Sequence, residues 1–77
     1  LLTIFGLRFY FYSDEHAPIH VHVENSDGRA KFDLEPTVQL VKNEGIKPKD
    51  LKKAKILCET FLEDFIEKWH EHVDQKD

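Results

Sequence analysis

Between Leu7 and Leu34 the chain alternates. In LRFYFY, Leu7, Phe9 and Phe11 take every second position, with Arg8, Tyr10 and Tyr12 between them. In HVHVE, Val21 and Val23 separate His20, His22 and Glu24; in RAKFDL, Ala30, Phe32 and Leu34 separate Arg29, Lys31 and Asp33. A period of two puts each set on one side of a strand, so three strands are predicted, each with an apolar and a polar face. NSDG, between the second and third, is a hairpin signal. In EPTVQLVKNEGIK, Val38 and Leu40 fit a short fourth strand ended by Gly45, with a short helix as the alternative.

From Pro48 the period lengthens. Leu51, Ala54, Cys58, Phe61, Phe65 and Trp69 fall three or four apart, and Leu57, Leu62, Ile66 and Val73 widen the stripe. That is the spacing of an amphipathic helix. Pro48 suits the first turn, where its missing N–H has no partner to lose. The expected fold is α+β, a three- to four-stranded antiparallel sheet packed on one long C-terminal helix. The strands lie within about residues 2–41 and the helix spans about residues 48–72, in a single domain covering 1–77.

One helix covers one face of such a sheet. The other face stays open and carries Arg8, Tyr10, Tyr12, His20, His22, Glu24, Arg29, Lys31 and Asp33. If Glu24 pairs with Arg29 across the turn, His22 faces Lys31 and His20 faces Asp33; a slip of two residues brings Glu24 to Lys31 and His22 to Asp33. Either way a histidine meets a carboxylate, a pairing that raises imidazole basicity and fixes its tautomer. His16, His20, His22 and Asp33 are therefore the candidate acid/base residues, although opposite charges across strands also simply stabilise a hairpin.

Two imidazoles two residues apart on a strand are separated by roughly 6.6 Å along it, on one face. His20 and His22 can share a zinc or manganese ion, with His16, Asp14, Glu15 or Glu24 as a third ligand. Lys31 and Arg29 on the same face weigh against a dication. Tyr10 and Tyr12 beside Arg8, Arg29 and Lys31 instead suit RNA or a phosphate. KPKDLKKAK sets five lysines against one aspartate at the helix start. This opposes the helix dipole, so Lys52 and Lys53 are candidate contacts for an outside anion or partner, against a plain solvated face. His70 and His72, at the other end, are expected to be structural, and Cys58 on the apolar stripe to be inert.

Composition narrows the classes. The 77 residues allow one modest core. A net charge of −4 excludes binding by bulk positive charge, leaving only local patches. The single cysteine forbids an internal disulfide and suits a reducing cytoplasm. No apolar run is long enough for a membrane span and no signal-like leader stands at the start. The opening LLTIFGLRF lacks a methionine, as expected of a chain missing a few residues. So small a domain is marginal alone, which favours a homodimer or a bound partner.

GLRFYFYSDEHAPIHVHVE, then AKFDLE and the late FIEKWHE, resembles the bacterial family DUF4160, small domains of unknown function. The family's acid–His pair falls on Glu15-His16, its Pro-Pro-His-like step on Pro18-Ile19-His20, its His-x-His strand on His20-Val21-His22, and its late tryptophan on Trp69. Ile19 departs from the pattern where a second proline is usual. The resemblance covers nearly the whole chain and implies no established reaction. Members are commonly encoded beside another small protein in a layout resembling toxin–antitoxin pairs, which implies a small protein partner more firmly than a substrate. The leading expectation is a partner-binding role using the open face; the alternative is a small nuclease or metal-dependent hydrolase.

Overall fold

A computed structural model describes residues 1–12 and 14–73. Five strands come first, β1 Leu2–Ile4, β2 Leu7–Tyr10, β3 His20–Glu24, β4 Arg29–Asp33 and β5 Gln39–Glu44. Two helices follow, α1 Pro48–Thr60 and α2 Leu62–His72. The strands form one antiparallel sheet in the order β1-β2-β3-β4-β5, each paired with its neighbour in sequence. The α+β class and the sheet-then-helix order agree with the sequence pattern, but the element count does not.

The first correction is an extra hairpin at the start. Ile4 pairs with Leu7 across the two-residue loop Phe5-Gly6, where both residues have positive φ, 55° and 75°. That is the type I′ pattern, whose twist matches paired strands. Phenylalanine stands where asparagine is usual, so the turn has no strong sequence signature. The second correction is β5, a full strand that continues to Glu44. It is exposed along its length and held by Val38 just before it and Ile46 just after, both buried. The register shifts between Lys31 and Phe32, which pair with Lys42 and Leu40. Val41 is thus the extra residue of a bulge.

The third correction concerns the helix. It is interrupted at Phe61, whose φ of −104° and ψ of 23° leave the helical region. The bonds from Phe61 N–H to the Leu57 carbonyl and from Phe65 N–H to the Phe61 carbonyl, both 2.9 Å, span the break. It is a kink, not a loop. The Thr60 hydroxyl donates to the Ile56 carbonyl at 2.8 Å beside it, a back-bond of the kind that bends helices. No proline or glycine marks the spot.

Both helices turn their apolar stripe to the sheet. Ala54, Leu57, Cys58, Phe65, Trp69 and Val73 are buried with Leu7, Phe9, Val21, Val23, Ala30, Phe32 and Leu34. Phe9 meets Phe65 and Phe11 meets Trp69, each at 5.5 Å between ring centres. At the far end of the sheet the β3–β4 turn closes on the end of β5. A Cβ on Gly28 would lie 1.9 Å from the Glu44 carbonyl oxygen, so only glycine permits that approach. Among the described residues, no helix is long and apolar enough to cross a membrane.

Candidate functional site

The uncovered face is ordered by register. One row across the strands reads Arg8, Glu24, Arg29, Glu44, with alternating charge. The next reads Tyr10, His22, Lys31, Lys42, and the third His20, Asp33, Gln39. This is the first of the two registers left open by the sequence. Arg8 is ion-paired to Glu24, and its guanidinium lies over the Tyr10 ring at 4.5 Å. Tyr10 also stacks on His22, with ring centres 5.3 Å apart and planes at 21°.

The segment between β2 and β3 brings Glu15 back over this face. The Glu15 N–H donates to the Tyr12 carbonyl at 3.3 Å, and the Tyr12 N–H donates to Glu15 Oε1 at 2.9 Å. This leaves Oε2 pointing at the histidines. It lies 2.7 Å from His20 Nε2 and 2.6 Å from His22 Nε2. The ligand atoms of Glu15, His20 and His22 all fall within 4.8 Å of one another.

His20 fixes the chemistry of this cluster. Its Nδ1 is 2.8 Å from the Pro18 carbonyl oxygen, an acceptor only, so Nδ1 carries the hydrogen. In a neutral ring the Nε2 lone pair then faces the Glu15 carboxylate, two acceptors at hydrogen-bond distance. A positive species has to stand between them, either a proton on Nε2 or a metal ion. A backbone bond to the remote nitrogen is the usual support of a metal-bound imidazole. Two histidines and one carboxylate are also a known donor set for zinc and for octahedral metals with open positions. Bonds of about 2.0–2.1 Å in tetrahedral geometry separate ligand atoms by about 3.3 Å. The two separations from the Glu15 oxygen, 2.7 and 2.6 Å, therefore need to open by less than about 1 Å to admit an ion.

Burial alone would raise the Glu15 carboxyl, but hydrogen bonds from His20, His22 and the Tyr12 N–H outweigh it and hold the group below its ordinary value. It is a carboxylate at neutral pH, as a ligand must be. Tyr10 is shifted the other way, raised by burial, by its hydrogen bond with Tyr12 and by the nearby Glu24, so its hydroxyl keeps its proton.

The predicted residues divide accordingly. His20 and His22 converge, with His20 buried against Trp69 at 5.0 Å between ring centres. His16 is exposed and outside the cluster; Glu15, its neighbour, occupies the third position. Of the other acids weighed as a ligand, Glu24 is engaged by Arg8 and Asp14 is exposed. Asp33 pairs in register with His20, yet both nitrogens of that ring are taken by Pro18 and Glu15. Tyr10, Tyr12, Arg29 and Lys31 line one cavity with His22. Lys52 and Lys53 are exposed on α1, which packs on the opposite face. Neither periodicity nor spacing distinguishes Glu15 from Asp14 and Glu24, because the path of the returning segment decides which acid arrives; only the family's acid–His pair points to it.

No curated protein and no solved structure matches the chain. The sequence model of one family, described as Domain of unknown function (DUF4160), matches residues 6–70, and the chain belongs to that family.

Proposed function

We propose that the open sheet face is a divalent-metal centre for hydrolysis, with Glu15, His20 and His22 as ligands to zinc or manganese. The observation that carries this reading is the convergence of two Nε2 atoms on one carboxylate oxygen while Nδ1 of His20 is held by Pro18. Three protein ligands leave positions for water, and a metal in such a site lowers the water's pKa towards about 7, making hydroxide available at neutral pH. His22 is the more open of the two histidines, with 18% of its side chain exposed against 5% for His20. Substrate therefore approaches from the His22 side.

The test is calorimetric titration of the chelator-treated protein with zinc and with manganese, alongside NMR of the histidine rings. One ion per chain is expected, with His20 and His22 shifting together, His16 silent, and Glu15→Gln abolishing the response. Hydrolysis of bis(p-nitrophenyl) phosphate should follow metal occupancy. No binding, or a response centred on His16, refutes the site.

A partner-binding role in a cytoplasmic, bacterial toxin–antitoxin-like pair is the second reading. It draws support from β5, an edge strand with Leu40 43% and Val41 48% exposed. Such an edge accepts a strand from a partner or a second copy. The two readings use different parts of the sheet and are compatible.

A further inference from the structure

We propose that the cavity beside the metal centre is a phosphoester-binding pocket, in which Lys31, Lys42 and Arg29 hold the phosphoryl oxygens. This names a substrate class for the hydrolytic reading and rests on it for the reaction, whereas binding itself is independent of the metal. The cavity has a volume of about 330 Å³, at the small end for ligand sites and adequate for one phosphorylated group. Its walls are Tyr10, Tyr12 and His22 on one side and Arg29, Lys31, Lys42 and Glu44 on the other. Three cations against one carboxylate make a positive spot on a chain of net charge −4.

The rows across the sheet give the stronger argument. Arg8, Glu24, Arg29 and Glu44 alternate in sign, as a sheet built only for stability would have it. One row away, Lys31 stands directly opposite Lys42, and like charges in that position destabilise the pairing. Exchanging either for glutamate would remove the conflict. Lys42 has only a 3.4 Å contact to Glu44 on its own strand, with both side chains more than half exposed, a weak compensation. Lys31 makes no ion pair among the described residues. A local conflict inside an otherwise consistent pattern is a mark of function, and an anion between the two ammonium groups resolves it.

The geometry also connects the pocket to the chemistry. His22 belongs to both the cavity wall and the metal cluster. A phosphoryl group held by the lysines would thus lie beside Glu15, His20 and His22, the residues that would hold the ion, and the ion would supply activated water for hydrolysis of the ester. Tyr10 is engaged by Arg8 at 4.5 Å and by His22 at 5.3 Å from its ring centre. Tyr12, 51% exposed, is the ring left to stack against an organic group on the ester.

Nitrogen-15 NMR of metal-free protein in chelator, titrated with inorganic phosphate, tests the binding. The expected result is a saturable shift of the Arg29, Lys31 and Lys42 amides at millimolar phosphate, weakened about tenfold or more in a Lys31→Gln/Lys42→Gln variant. That variant should also unfold a few degrees higher than the parent without phosphate, because the repulsion is gone, and lose the stabilisation that phosphate gives the parent. No shift, an unchanged affinity in the variant, or shifts spread equally over Lys52 and Lys53 overturns the pocket. Zinc titration of the same variant keeps the two readings apart. One ion bound with phosphate binding lost is the outcome that both readings predict; one ion bound with phosphate binding unchanged refutes the pocket alone. Phosphate binding retained in Glu15→Gln without any metal response in the parent refutes the metal centre alone. Titration with adenosine monophosphate and with a short single-stranded RNA then distinguishes a small phosphoester from a nucleic-acid strand, the true source giving the tighter binding and the added shift at Tyr12.

Discussion

His20 and His22 share one carboxylate but are built into the molecule differently, and alanine at each should show it. His20 is 4% exposed. Its Nδ1–H bond to the Pro18 carbonyl contributes about 1 kcal/mol and its bond to the Glu15 carboxylate about 2 kcal/mol. The contact with the Trp69 ring adds about 1 kcal/mol. His20→Ala should therefore cost about 4 kcal/mol, a large part of the roughly 4–12 kcal/mol total that a domain of this size commands. His22 has the same kind of bond to Glu15 but sits nearer to solvent, with Tyr10 and Tyr12 as ring neighbours, and its removal should cost about 2 kcal/mol. In guanidinium, with a slope of about 2 kcal/mol per molar, the midpoints should fall by about 2 M and 1 M. Both variants should lose metal binding, but only His22→Ala should do so in a securely folded protein. A His20→Ala loss below about 1 kcal/mol, or one smaller than that of His22→Ala, refutes the assignment of His20 to the core.

Two further predictions concern the fold around the site. Burial, with a smaller contribution from Glu59, pushes the Cys58 thiol from 9.0 up to about 12. The folded state thus favours the protonated thiol, so this contribution is complete below pH 9 and is lost as pH rises towards 12, by about 2 kcal/mol between pH 8 and 10.5. Denaturant titrations should show that loss in the parent and a flatter profile in Cys58→Ala; equal slopes would exclude it. Gly28→Ala drives a Cβ against the Glu44 carbonyl and should cost about 3 kcal/mol, lowering the thermal midpoint by roughly 12–24 °C. The neighbouring Ser26→Ala, at an exposed position, should leave the midpoint unchanged in the same scan.

What could be read from the chain were features set by local periodicity. The alternation in LRFY, HVHVE and RAKFD located β2, β3 and β4 and their two faces, because each strand is half buried and side chains alternate across it. β1 escaped because it has only 3 residues and turns through Phe5-Gly6, a pair without the Asn-Gly signature. β5 was legible only in part, since its six residues are all exposed and an exposed edge strand needs no apolar alternation. The helix stripe runs through Phe61 without a gap, so the kink beside Thr60 left no trace in the hydrophobic pattern.

The site shows the same division, and the reason is geometric. Side chains on neighbouring strands stand side by side, roughly perpendicular to the sheet. Register can place Asp33 beside His20, but a short aspartate reaches the flank of an imidazole more readily than Nε2 at its tip. A group that meets the tips of two histidines at once has to come from above the sheet. Only a connecting segment can supply it, and here that segment supplies Glu15, five residues before His20 and seven before His22. Alternation therefore predicts which histidines share a face, while the third ligand depends on the route of a segment with no periodicity. Tyr12 closes that route by accepting from the Glu15 N–H and donating its own N–H to the Glu15 carboxylate, and Pro18 anchors it by accepting from His20. The fold sets the two imidazoles; the returning segment, held at both ends, makes them a site.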